Sequence, residues 1–139
     1  MKPIALALIL AASAAGCTTT PEHSPGTERS GADQLAVVSV ASDQVKIIET
    51  DGKPFPGSGK SDFYIQPGSH RFLVGLNWCP GGQCIPASAF ADTPRVACID
   101  ATPGTRYRIS AGNPGPDWMP RVTEQKSGGE ARVIASRCS

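Results

Sequence analysis

The sequence of 139 residues predicts an all-β fold, a small antiparallel β-sandwich of about seven strands in residues 34–139. Three observations indicate this class. From Gln34 onward, short apolar runs follow the two-residue period of strands. Turn signals rich in Gly and Pro separate those runs, and the chain holds 15 Gly and 13 Pro. No stretch of about twelve residues there shows a helical period, so strands joined by tight turns are expected.

Each predicted strand is an apolar or alternating run bounded by a turn. The first two are LAVVSV (35–40) and QVKIIET (44–50), and the turn DGKPFPG ends the second. DFYIQ (62–66) then meets the turn PGSH, and RFLVGL (71–76) places its alternate apolar residues on one face. RVACIDA (95–101) and RYRIS (106–110) flank the turn TPGT, and Tyr107 and Ile109 alternate with two arginines. MPRVTE (119–124) and EARVIASRC (130–138), joined by KSGG, complete the domain.

Residues 1–16 have the pattern of a signal peptide. Lys2 supplies a positive start, and residues 3–15 form an apolar stretch of about thirteen residues, shorter than the roughly 20 that a membrane-spanning helix needs. The stretch ends in small residues followed by Cys17. An ordinary signal peptide cut at a small-x-small site, such as residues 12–14, would leave Cys17 as one more thiol.

The motif Ala-Ala-Gly-Cys at residues 14–17 resembles the lipobox of bacterial lipoproteins. That resemblance implies that the Cys17 thiol carries diacylglycerol, that residues 1–16 are removed, and that the new amino terminus is acylated. Buried acyl chains, at about 0.8 kcal/mol per methylene, would hold the protein at a membrane. By resemblance to the lipoprotein sorting rule, Thr18 in place of Asp favours the outer membrane, with the domain facing the periplasm.

Residues 17–33 are expected to form the lipidated cysteine and a flexible linker. The segment contains Pro, Ser, Thr and Gly but no large apolar residue, so it cannot bury enough surface to fold. His23 lies in this linker and is expected to be solvated.

Charge and histidine content exclude several classes of function. Without Lys2 the chain carries twelve basic and twelve acidic residues and no basic cluster, so it offers no electrostatic case for nucleic acid. His23 and His70 are the only histidines, which argues against any mechanism that needs a cluster of histidines. No motif for a nucleophile or a phosphate loop is present, so we predict a protein that is not an enzyme and has no cofactor and no metal.

Four cysteines besides Cys17 predict two disulfide bonds in an exported domain. They are Cys79, Cys84, Cys98 and Cys138, and they allow three connectivities. The sequence CPGGQC closes a tight loop and the other two cysteines fall in strand-like segments, so we favour Cys79 with Cys84 and Cys98 with Cys138. A zinc site is the alternative, but the spacings lack the paired short intervals of zinc-finger-like sites.

A turn pattern in residues 44–111 is similar to that of PEGA-type domains. A strand ending in Asp51-Gly52-Lys is followed by a variable loop, and then by Pro67-Gly68-x-His70 before an alternating strand. ATPGTRYRI later resembles the second half of the pattern. The four-residue signature that names the family is replaced by PFPG. The resemblance therefore implies a small sandwich of the kind found in uncharacterised proteobacterial lipoproteins, and it implies fold rather than activity.

Two tryptophans on predicted loops are the candidate ligand-binding residues. Trp78 precedes the disulfide loop, and Trp118 lies in NPGPDWMP. Aromatic side chains on loops can hold sugars or peptides, whereas a tryptophan beside a disulfide can instead cap the core.

The sequence therefore predicts a binding module for an envelope protein or glycan. Its contact surface is expected in residues 77–86 and 113–119. The alternative is an inhibitor that plugs a hydrolase with the stiff disulfide loop, because stiffening lowers the cost of ordering on binding.

Overall fold

The computed structural model describes residues 22–23, 31–56, 62–84, 94–113 and 115–138. Within these residues the chain forms ten strands: β1 (Glu22–His23), β2 (Ala36–Val40), β3 (Val45–Thr50), β4 (Lys53–Pro54), β5 (Asp62–Ile65), β6 (Gly68–Leu76), β7 (Arg95–Ala101), β8 (Arg106–Ala111), β9 (Pro120–Gln125) and β10 (Arg132–Ile134). Short 3₁₀ turns cover Ala32–Gln34 and Pro80–Gly82. None of the described segments is a helix long and apolar enough to cross a membrane.

The strands form two sheets that pack face to face, so the predicted all-β sandwich is confirmed. One sheet has six strands in the order β1-β5-β2-β8-β9-β10, and the other has four in the order β4-β3-β6-β7. Most neighbours are antiparallel, as predicted, but β2 pairs in parallel with β8 and β1 with β5. The β2–β8 pair joins segments about 70 residues apart, which local turn signals could not predict.

Strand alternation separates the core from the outer faces. In β8, Tyr107 and Ile109 are buried between the sheets, while Arg106 and Arg108 point to the outer face. The same period places Val38, Phe72 and other apolar residues inside. The largest fully buried side chains are Trp118, Tyr107, Phe63, Phe72, Leu35, Ile65, Ile99, Ile109, Val38, Val45, Val74 and Val122. Burial of this apolar set supplies the main driving force for folding.

The carboxyl-terminal segment crosses from one sheet to the other. β10 ends at Ile134, earlier than the predicted strand of residues 130–138, and Cys138 lies outside any strand. Beyond β10, Ser136 accepts a hydrogen bond from the Cys98 N–H at 2.9 Å. Cys138 then forms a disulfide with Cys98, as the favoured pairing predicted. The segment thus pairs with part of the outer edge of β7 that would otherwise present an unpaired N–H group.

Part of the predicted linker adds to the six-stranded sheet. Within the segment predicted as a flexible linker, Glu22–His23 pairs in parallel with Phe63 and Tyr64 of β5. Backbone hydrogen bonding to an exposed strand edge requires no apolar side chains, which is why composition did not indicate it. Residues 1–16 and Cys17, with the predicted lipidation site, lie outside the described residues.

Candidate functional site

The Cys79–Cys84 disulfide closes a short loop at the end of β6, as predicted. Gly81 and Gly82 have φ of 61° and 81°, a left-handed conformation that glycine adopts without strain. Residues 81–84 at the loop tip are exposed. We call residues 77–84 the disulfide loop; the rest of the predicted contact segment, up to residue 86, lies outside the described residues.

Three hydrogen bonds hold the base of the disulfide loop on the β2–β3 turn. The Asn77 side-chain amide donates to the Ser42 carbonyl at 2.7 Å, and its backbone N–H donates to the Gln44 carbonyl at 2.7 Å. The Cys79 N–H donates to the Asp43 carbonyl at 2.7 Å. The loop is therefore fixed at its base by hydrogen bonds and closed covalently above it, so it presents a stiff, exposed tip.

The two tryptophans have different environments. Trp118 is only 1% exposed and belongs to the core, so the prediction that it binds ligand on a loop is wrong. The β8–β9 connection turns it inward: the Trp118 backbone N–H donates to the Gly115 carbonyl at 3.1 Å, and Met119 beside it is exposed instead. Trp78 is half-buried and packs against the core, which is the capping arrangement that the sequence left open.

Asp51 and His70, the two ends of the PEGA-like turn pattern, contact each other. His70 Nδ1 lies 2.7 Å from Asp51 Oδ2, and the other carboxylate oxygen accepts from the Arg71 N–H at 2.8 Å. His70 Nε2 lies 2.7 Å from the Gln66 backbone carbonyl oxygen. Both ring nitrogens therefore face oxygen acceptors within the protein, which ties the turn after β3 to the start of β6. Among the described residues, no group of three His, Cys, Asp or Glu side chains could hold a metal ion.

A polar cavity of about 350 Å³, which sequence reasoning missed, lies on the outer face of the six-stranded sheet. The lining residues come from four strands and the turn before β10: Ser39, Asp62, Arg106, Arg108, Thr123, Gln125 and Ala131. We call it the arginine cavity. Arginines two residues apart on a strand share one face, so the alternation in RYRIS already indicated that two arginines of this cavity lie side by side. The acidic and hydroxyl partners come from distant segments and became neighbours only in the sheet.

A second cavity, of about 340 Å³, is apolar and lies between the β8–β9 connection and β10. Met119 and Val133 line it and are 49% and 63% exposed, the two exposed large hydrophobic side chains of the described residues. Arg121 and Arg137 complete its rim.

Comparison with known protein families, curated proteins and solved structures finds no match to this chain. The resemblances to lipoproteins and to PEGA-type domains therefore remain predictions from the sequence motifs.

Proposed function

We propose that the protein is a lipid-anchored envelope protein that binds a partner protein or glycan without catalysing a reaction. In this proposal Cys17 carries the lipid, the outer membrane holds the protein, and the domain faces the periplasm. The observation that carries the binding role is the disulfide loop, whose tip is exposed while its base is held by hydrogen bonds and a covalent bridge. Such a loop loses little conformational freedom when a partner binds.

The environment of His70 favours a structural role for this residue over a catalytic one, which fits a protein that binds without catalysing a reaction. A general base needs a nitrogen that can reach a proton on the substrate. Here Asp51 and the Gln66 carbonyl occupy both ring nitrogens, and the contacts join two turns of the scaffold. The same geometry accounts for the Asp and His of the turn pattern by a structural role.

The anchor is tested by mass spectrometry of the exported protein and by cell fractionation. We expect an amino-terminal peptide that begins at Cys17 and carries the mass of the acyl groups. A Cys17→Ala variant should leave the membrane fraction, whereas Cys79→Ala/Cys84→Ala should stay there. An unmodified Cys17 thiol in the wild-type protein would contradict the anchor.

The contact surface is tested by photo-crosslinking in intact envelopes. A crosslinking amino acid at Gln83, on the exposed loop tip, should capture a discrete partner. The matched control at Glu130, exposed in the β9–β10 turn, should not capture it. Capture of the same species from both positions, or from neither, would contradict the assignment of the disulfide loop.

A hydrolase inhibitor is the second candidate, and the closed loop itself favours it. A disulfide-stiffened, exposed tip can enter an active site at a low cost in entropy. Opening the loop with Cys79→Ser and Cys84→Ser should then abolish inhibition of envelope hydrolases while the fold survives. A partner that stacks on the half-buried Trp78 would instead tolerate that change and be lost with Trp78→Ala.

A further inference from the structure

We propose that the arginine cavity binds a sugar acid, a monosaccharide unit bearing one carboxylate. The cavity is on the outer face of the six-stranded sheet and shares no residue with the disulfide loop. The inference therefore goes beyond the proposed function and does not depend on the lipid anchor.

Arg106 is held in place by two acceptors. Its Nη1 donates to Asp62 Oδ2 and to Ser39 Oγ, both at 2.9 Å. Ser39 is only 6% exposed, so one of these bonds is made in a nearly dry position beneath the guanidinium. A guanidinium has five N–H donors, and among the described residues only the Nη1 donors of Arg106 are bonded, which leaves those on Nε and Nη2 for a ligand. The side chain is thus oriented before a ligand arrives, which lowers the cost of binding.

Arg108 supplies the charge that the scaffold does not neutralise. It is two residues along β8 from Arg106, roughly 7 Å away on the same face, and it is exposed. No described residue forms an ion pair or hydrogen bond with its guanidinium. A guanidinium matches a carboxylate with two parallel hydrogen bonds. Arg108 is therefore the group we assign to the carboxylate of the ligand.

The neighbouring strand supplies polar groups for hydroxyls. Thr123 of β9 lies directly opposite Arg108, and Gln125 lies opposite Arg106. The Gln125 amide nitrogen donates to the Gly129 carbonyl at 3.3 Å, which leaves its carbonyl oxygen to accept from a ligand. The Thr123 hydroxyl can donate or accept. The cavity thus places a hydroxyl and an amide oxygen beside the two arginines, a set that suits a ring with several hydroxyl groups.

Charge and size narrow the ligand class. Arg106 and Arg108 with Asp62 give the cavity a net charge of about +1, which a single carboxylate balances and a phosphate dianion would exceed. The volume of about 350 Å³ is at the small end of ligand cavities, which suits one sugar ring rather than an oligosaccharide. Together these features favour a monoanionic sugar over inorganic phosphate or a neutral sugar.

The test is a titration of the purified full chain with D-glucuronate, followed by NMR amide shifts. Glucose, acetate and inorganic phosphate are titrated as separate probes. We expect glucuronate to shift amides of β8 and β9 and to bind more tightly than each of the other three. Arg108→Gln should weaken the binding of glucuronate at least about tenfold, because it removes a charge-assisted hydrogen-bonded pair. Thr123→Val should weaken the binding of glucuronate but leave the affinity for acetate unchanged.

The matched control is Arg71→Gln, which removes the same charge from an exposed position on the four-stranded sheet. It should change the affinity for glucuronate less than about twofold. Well-dispersed amide spectra of all three variants would establish that each is folded. Binding of glucuronate no tighter than that of acetate, glucose or phosphate, or affinity that Arg108→Gln leaves unchanged, would overturn the assignment.

Discussion

The bridge between Cys98 and Cys138 is expected to stabilise the domain about twice as much as the bridge between Cys79 and Cys84. The two bridges join cysteines separated by 40 and by 5 residues. On the chain-entropy estimate, closing the longer loop removes about 13 cal/mol/K from the unfolded chain and the shorter one about 7. At 25 °C these entropies correspond to about 4 and about 2 kcal/mol.

The folded structure adds to this difference. Without the long bridge, the carboxyl-terminal segment is held on β7 only by non-covalent contacts such as the hydrogen bond from the Cys98 N–H to the Ser136 carbonyl. This end of the chain is then expected to fray. Without the short bridge, the base of the disulfide loop still has its three hydrogen bonds to the β2–β3 turn. For a domain of about 100 residues, losses of 4 and 2 kcal/mol lower the Tm by about 20 and 10 °C.

The assay compares Cys98→Ala/Cys138→Ala with Cys79→Ala/Cys84→Ala and the wild type in urea. Trp118 lies in the core and Trp78 packs against it, so the tryptophan fluorescence reports the loss of the core. The free energy of unfolding should fall in the order wild type, short-bridge variant, long-bridge variant. An equal loss for the two variants, or a larger loss for the short bridge, would refute the reasoning from loop length.

Three further substitutions test the packing and the turns. Trp118→Ala should lower the free energy of unfolding by about 3–5 kcal/mol in urea titrations, because it empties the largest fully buried side chain; a loss below about 1 kcal/mol would contradict its burial. Arg132→Gln should lower the free energy of unfolding by about 1 kcal/mol, because the carboxylate of Glu124, which is 8% exposed, loses hydrogen bonds of 3.0 and 3.2 Å. The loss is limited because Arg132 is itself exposed. Adding Glu124→Gln should restore part of the stability in the same titration. Asp51→Ala should lower the Tm more than Asp51→Asn, because φ at this residue is 53° and Asn tolerates that conformation and keeps an acceptor for the Arg71 N–H; equal Tm values would contradict this account.

The strands were predictable because their signals are local. In β6 and β8 the two-residue alternation identified the strand and its apolar face, and Phe72, Val74, Tyr107 and Ile109 on those faces are all buried. The disulfide pairing was predictable for a similar reason, since CPGGQC brings two cysteines together over a few residues. The fate of Trp118 was not, because a Gly/Pro-rich connection can turn an aromatic residue outward or inward with the same local sequence.

The candidate sites depended on contacts between distant segments. Asp51 and His70 were each recognised as turn residues, but their contact requires β3 and β6 to pair. The arginine cavity requires β2, β5, β8 and β9 to lie side by side, including the parallel β2–β8 pair. A single sequence carries no signal for which strands pair at such separations.

Taken alone, the sequence determined that this is an all-β domain with two disulfide bonds, because alternation, turn residues and cysteine spacing are properties of neighbouring residues. Only the tertiary structure decided the strand order, the burial of Trp118 and the meeting of Asp62, Ser39 and Arg106. These features follow from which distant strands share backbone hydrogen bonds, and that choice is made by the packing of the whole core.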